Sequence, residues 1–190
     1  MKVKVSDYIA EFMAQKGVTN VFTVCGGGSM HMNDSFGHHP KLHCVYNHHE
    51  QASAIAAEGY ARIHNKPAIC CVTSGPGAIN ALNGVVGAYQ DSIPMLVFSG
   101  QTKTSLTIRL NHLPLRSLGN QEVDIVSALT NLVKYAVMVE RKEQIRYVLE
   151  RAYAEATTGR MGPAWIDIPL DIQGSYVDPE ELVSYEGMAP

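Results

Sequence analysis

Short apolar runs, each opening into a loop and then a helical stretch, constrain this chain more than any other feature. Ala68-Ile69-Cys70-Cys71-Val72 has no polar residue at either parity, so both faces of the strand it forms must be covered. Val21–Val24, His43–Asn47, Met95–Phe98, Tyr135–Val139 and Ala164–Ile168 also read as strands. Between them lie helix signals. Ser6 to Lys16 places Ile9, Phe12 and Met13 at helical spacing, with Ser6 available as N-cap and Gly17 as the stop. The Ala-rich stretch from Glu50 to Arg62 and the segment Ala78 to Tyr89 have the small side chains of closely packed helices, and Ile145, Val148, Leu149, Ala152 and Ala156 share one helical face. Gln101 to Asn120 lacks periodicity and reads as a long loop, followed by a short helix from about Glu122 to Leu129.

Apolar strands alternating with helices predict an α/β fold: a three-layer αβα sandwich around a six-stranded, mostly parallel, doubly wound sheet built from right-handed crossovers. The domain is expected to span residues 1–174, with 175–190 a Pro- and Glu-containing linker or tail. Ligands of such sheets bind beyond the carboxyl ends of the strands. Three loops there carry chemistry: Cys25 to Ser29, His48 to Gln51 and Thr73 to Gly77.

Composition narrows the function. With 15 Lys plus Arg against 18 Asp plus Glu, a net charge of -3 gives no electrostatic reason to expect nucleic acid or an anionic membrane as partner. No apolar run reaches signal-peptide or transmembrane length, so a cytoplasmic location is the expectation. Cys25, Cys44, Cys70 and Cys71 lack metal-ligand spacing and read as buried free thiols. Neighbouring residues on an extended strand point to opposite faces, so the doublets His38-His39 and His48-His49 do not place two imidazoles on one ion, and no metal site is expected.

Asn47-His48-His49-Glu50-Gln51-Ala52-Ser53-Ala54-Ile55-Ala56-Ala57-Glu58-Gly59-Tyr60-Ala61-Arg62 resembles the glutamate-bearing strand-to-helix segment of thiamine diphosphate enzymes. Thr73-Ser74-Gly75-Pro76-Gly77-Ala78-Ile79-Asn80, Asp91-Ser92-Ile93-Pro94, Ser99-Gly100-Gln101 and Gly162 to Asp171 are similar to the same family in the same order. The likeness covers the chain to Gly174 and is nearest the acetolactate synthase and pyruvate oxidase branch. It implies the pyrimidine-binding domain of a lyase or transferase acting on 2-keto acids, with thiamine diphosphate as cofactor.

By this resemblance Glu50 is catalytic: it hydrogen-bonds the pyrimidine N1′ and favours the tautomer whose exocyclic nitrogen takes the thiazolium C2 proton. Such a carboxyl should be desolvated. The resemblance places Cys25, Gly26 and Gly27 along the pyrimidine edge, with Thr73, Pro76 and Asn80 near the ring and Gln121 on the substrate side. Cys25 stands where the pattern usually has proline and Gly28 where alanine is common, changes expected to loosen the loop.

In this family a second domain holds the diphosphate through Mg²⁺ on a Gly-Asp-Gly motif, and this chain has no Gly-Asp pair. The chain alone is therefore expected to be inactive, either as an excised domain, which the end at Pro190 suits, or as a subunit partnered by a diphosphate-binding chain. A homo-oligomer through the α/β domain is also implied. The alternatives are a non-catalytic or regulatory module that keeps the fold, and a nucleotide-binding domain, against which the missing G-x-G-x-x-G spacing speaks.

Overall fold

Six strands run parallel in a computed structural model that describes residues 1–185. They are β2 (Asn20–Thr23), β3 (His43–Tyr46), β4 (Ala68–Val72), β5 (Met95–Gln101), β6 (Tyr135–Met138) and β7 (Pro163–Pro169), in the lateral order β3-β2-β4-β5-β7-β6. The predicted three-layer, doubly wound α/β class is therefore present. Helices α1 (Val5–Gln15), α2 (Met30–His38) and α7 (Ile145–Thr157) belong to one layer, and α3 (Glu50–His64) and α4 (Pro76–Gln90) to the other.

Alternation along the central strands feeds both layers. On β4, Ile69 and Cys71 enter the core under α1, α2 and α7, whereas Ala68, Cys70 and Val72 enter the core under α3 and α4. The same parity splits Leu96 and Phe98 from Met95 and Val97 on β5. All five β4 residues are buried, which is why this strand shows no polar position. The apolar face read on α7 is buried in full: Ile145, Val148, Leu149, Ala152 and Ala156.

Several boundaries differ from expectation. Helix α1 starts at Val5, with Lys4 at the N-cap and no side-chain cap; Ser6 is buried in the first turn, where its hydroxyl donates to Ser35 Oγ at 2.8 Å, the Ser35 proton being taken by Asp7 Oδ1 at 2.6 Å. The segment after β5 is not bare loop but holds a 3₁₀ turn at Thr104–Leu106 and a short helix α5 (Ile108–Asn111). Helix α6 spans only Ile125–Ala128, because Asp124 accepts from the Ser127 amide and caps it.

The stretch after Gly174 does not leave the domain at once. Strand β8 (Tyr176–Val177) follows the single turn α8 (Leu170–Gln173) and pairs antiparallel with β1 (Val3–Lys4), and Val177 and Leu182 are buried in the core. The part of the expected tail at 186–190 lies outside the described residues. Cys70 and Cys71 are buried and Cys44 half-buried, but Cys25 is exposed, so the buried-thiol reading fails there: Cys25 lies past the last hydrogen-bonded residue of β2, where no helix covers it. No described helix is long and apolar enough to cross a membrane.

Helices α3 and α4 touch backbone to backbone. A Cβ at Gly84 would lie 2.6 Å from the Ile55 amide nitrogen and 2.7 Å from the Ala54 carbonyl carbon, atoms that move only if the helices separate. Gly87 on the same helix has nothing within 4 Å. Gly84→Ala is expected to lower the unfolding free energy by about 2 kcal/mol, while Gly87→Ala leaves it unchanged or raises it by about 0.5 kcal/mol. Urea titration of the two variants checks this.

Candidate active site

Strands β2 and β4 are neighbours, but β2 leads through α2 to β3 on one side and β4 leads through α4 to β5 on the other. Their outgoing loops therefore diverge and leave a crevice at the carboxyl end of the sheet. The glycine loop after β2 and Thr73 to Gly77 after β4 form its banks, and Glu50 stands at the start of α3, after β3.

Glu50 is half-buried, and its Oε2 accepts from Asn80 Nδ2 at 2.7 Å. The same amide group lies 3.3 Å from His49 Nε2. No described donor bonds Oε1, which looks over Gly77: a Cβ there would sit 3.2 Å from Oε1 and 2.7 Å from Thr73 Cγ2. Glycine at 77 keeps that face of the carboxylate open. The cleft here measures about 630 Å³ and is lined by Glu50, Pro76, Gly77, Ile79, Asn80 and Val123. Beneath it, burial pushes the Cys70 thiol up to about 12, helped by the nearby Glu50 charge.

The glycine loop opens on a separate cleft of about 450 Å³, which Gly26, Gly27, Thr73, Lys103, Asn120 and Gln121 help to line. Thr73 is the partition. Its Oγ1 accepts from the Gly28 amide at 3.0 Å, its Cβ would be 2.4 Å from a Cβ on Gly26, and its methyl faces Gly77. So Glu50, Pro76 and Asn80 are brought together, Gly26, Gly27 and Gln121 are brought together, and Thr73 separates the two groups. Cys25 lines neither cleft. The three loops do not close on one cavity, because the threonine side chain fills the space between them.

Gly28 does not loosen its loop. Its amide is held by Thr73 and its carbonyl accepts from Gln173 Nε2 at 2.7 Å, and a Cβ would meet Ser74 Oγ at 2.8 Å. Gln121, at φ 55°, presses its backbone carbonyl onto Gly75; a Cβ at Gly75, whose φ is 59°, would come within 2.0 Å of that oxygen. Both conformation and contact require glycine at 75.

Two contributors escaped the sequence reading. Val123 lies in a segment without periodicity, so nothing marked it as a wall of the Glu50 cleft. Asp167 did carry a signal, a lone carboxyl inside Trp165-Ile166-Asp167-Ile168. It is fully buried within β7, accepting from Ser99 Oγ at 2.6 Å and from Gln101 Nε2 at 3.0 Å, and Ser99 Oγ in turn accepts from Trp165 Nε1 at 2.8 Å. Burial pushes its carboxyl up to about 7, against those hydrogen bonds. No group of three or more His, Cys, Asp or Glu among the described residues could hold a metal ion.

A parallel sheet with a glycine-bearing switch point and a half-buried carboxylate beside a cleft is the architecture of a cofactor-binding α/β domain. Residues 3–127 match the family described as thiamine pyrophosphate enzyme, N-terminal TPP binding domain, and the chain belongs to that family, whose cofactor is thiamine diphosphate. It is 37% identical over 173 residues to a chloroplastic acetolactate synthase of Arabidopsis thaliana, covering 90% of this chain and 24% of that protein. Against the mitochondrial acetolactate synthase catalytic subunit of Saccharomyces cerevisiae it is 36% identical over 165 residues, covering 85% of this chain and 22% of that protein. The acetolactate synthase large subunit of Buchnera aphidicola is 35% identical over 167 residues, covering 88% and 28%. The chain thus spans about a quarter of the length of these relatives.

The Glu50 cleft fits the aminopyrimidine end of the cofactor: one free carboxylate oxygen, an open glycine face and apolar walls from Ile79, Pro76 and Val123. It does not fit the diphosphate end, since among the described residues no Lys or Arg lines it.

The Asp167 titration is measurable. The folded chain keeps a proton that the unfolded chain, with an ordinary value of 3.8, has released, so this group makes the fold less stable as pH rises from about 4 to about 7. Between pH 5 and 7 the unfolding free energy of the wild type is expected to fall relative to that of Asp167→Asn, with a slope approaching about 1.4 kcal/mol per pH unit. Parallel slopes for the two proteins in urea titrations would remove the buried titration.

Proposed function

We propose that this chain is the pyrimidine-binding half of a thiamine diphosphate-dependent 2-keto acid decarboxylase or carboligase, a lyase or transferase of the acetolactate synthase type, in which Glu50 activates the cofactor. The observation that carries the reading is the division of labour on one carboxylate: Asn80 holds Oε2, leaving Oε1 free over Gly77 to hold a proton. When bound, thiamine diphosphate supplies the acidic carbon and the electron sink for 2-keto acid chemistry. The chain's own residues do the rest. Asn80 fixes the carboxylate rotamer, Ile79 and Val123 keep water from one side of the cleft, and the position of Glu50 at the first turn of α3 sets its distance from the strand ends.

Pro76, Asn80 and Glu50 would meet the pyrimidine directly. Gly26 and Gly27, with Cys25 beside them, would lie along the pyrimidine edge across Thr73, and Gln121 would stand on the substrate side. The diphosphate and its Mg²⁺ would be held by another domain or subunit, without which the chain is inactive. Ile79 in the cleft wall and Ile55 on α3 are 42% and 48% exposed, and their coverage by a second α/β domain would make the working form a homo-oligomer.

Glu50→Gln keeps shape and the Asn80 contact but cannot share the proton. In an assembly completed with the diphosphate-binding domain, it is expected to slow hydrogen exchange at the cofactor C2 by roughly 10² or more. Exchange unchanged by the substitution would instead mark a non-catalytic module.

A further inference from the structure

Beside Thr73, a backbone wall, 118–124, borders both clefts, and it is held from inside the sheet by one amide side chain. Gln101 ends β5, is 2% exposed, and donates from Nε2 to the Val123 carbonyl at 2.9 Å and to Asp167 Oδ2 at 3.0 Å, while its Oε1 accepts from the Thr102 amide at 3.0 Å. Every polar atom of the side-chain amide is used. Turned over, it would set its oxygen against a carbonyl and a carboxylate, and its NH₂ against an N–H.

The direction of these bonds is imposed from Trp165. An indole N–H only donates, so Ser99 Oγ accepts from it and its hydroxyl proton goes to Asp167 Oδ1, leaving Oδ2 to accept from Gln101. A hydrophobic side chain at 167 would fit its apolar strand without the cost of an interior carboxyl. What the carboxyl adds is a fixed orientation for Gln101. The nearest other charges, Asp124 and Arg109, are paired with each other at 3.1 Å at the outer base of the wall.

Further ties, among them the Ile108 amide donating to Glu122 Oε1, hold the wall at its outer edge. Glu122 accepts from the amides of Leu118 at 2.7 Å and Gly119 at 3.2 Å, and the Gln121 carbonyl rests on Gly75. Val123 is the residue through which the wall faces the Glu50 cleft, and Asn120 and Gln121 are those through which it faces the glycine cleft.

We propose that Asp167 and Gln101 are positioning residues: by fixing the Val123 carbonyl they set the wall that shapes the Glu50 cleft on one side and carries Gln121 on the other. This rests on the reading of the Glu50 cleft as the pyrimidine site. No step is assigned to either residue; they act through Val123 and Gln121.

Amide hydrogen exchange across the chain, followed by mass spectrometry, tests the hold without any cofactor. Gln101→Leu and Asp167→Asn are each expected to speed exchange in 118–124 about tenfold while residues 68–72 of β4 keep wild-type protection. In the thiamine diphosphate-loaded assembly, Gln101→Leu is then expected to slow C2 exchange at saturating cofactor about tenfold, with cofactor affinity within threefold of wild type. Wild-type protection of 118–124 in Gln101→Leu would overturn the proposal, as would faster exchange there with C2 exchange unaltered. If Asp167→Asn does not fold, Gln101→Leu decides alone, since it leaves the carboxyl and its Ser99 bond in place. Absence of thiamine diphosphate binding in the wild type would defeat the pyrimidine-site reading, whereas the exchange result would still decide whether Gln101 holds the wall.

Discussion

The contact between Thr73 and the glycine loop is the constraint on which the site depends. At the switch point the chains leaving β2 and β4 part to opposite sides, and nothing in the sheet ladder joins them beyond its last pair. The Gly28 amide bonded to Thr73 Oγ1, with Gly26 packed on the same side chain, closes that gap. One threonine thereby joins the loops and divides the space between them. Gly26, Gly28 and Gly77 crowd this single side chain, so each is glycine because of a neighbour distant in sequence.

Two kinds of economy make the arrangement rigid. Small residues let α3 and α4 approach until backbone touches backbone at Gly84, which brings Asn80 on one helix to Glu50 on the other. Polar side chains inside the sheet then replace water as partners. Thr23 Oγ1 donates to the Cys71 carbonyl and accepts from Asn33 behind the glycine loop, and the chain from Trp165 through Ser99 and Asp167 to Gln101 ends on the wall. Such networks specify geometry only when every member is satisfied, and in the Gln101 amide every atom is.

Much of the fold was legible because burial on both faces leaves an unmistakable pattern: Ala68–Val72 could be nothing but an interior strand, and the face on α7 was read residue for residue. Family motifs placed Glu50, Pro76 and Asn80 together. The strand after Gly174 left no sequence signal, since the two-residue pair of β8 with β1 is too short for any periodicity and depends on a strand more than 170 residues away. Cys25 was misread for a related reason: an apolar neighbourhood in sequence does not say where a strand stops being covered.

Taken alone, the amino-acid order determined the layers, the six strands of the main sheet and the carboxylate, because each follows from local periodicity or from residues adjacent in the chain. Tertiary structure alone decided that the loops form two clefts instead of one, that Val123 faces Glu50, and that Asp167 reaches the wall through Gln101. The physical reason is range. A side chain's volume acts on whatever lies within a few ångströms, and Thr73, Gly26, Gly77 and Gln121 become neighbours only after crossovers whose packing no single segment encodes.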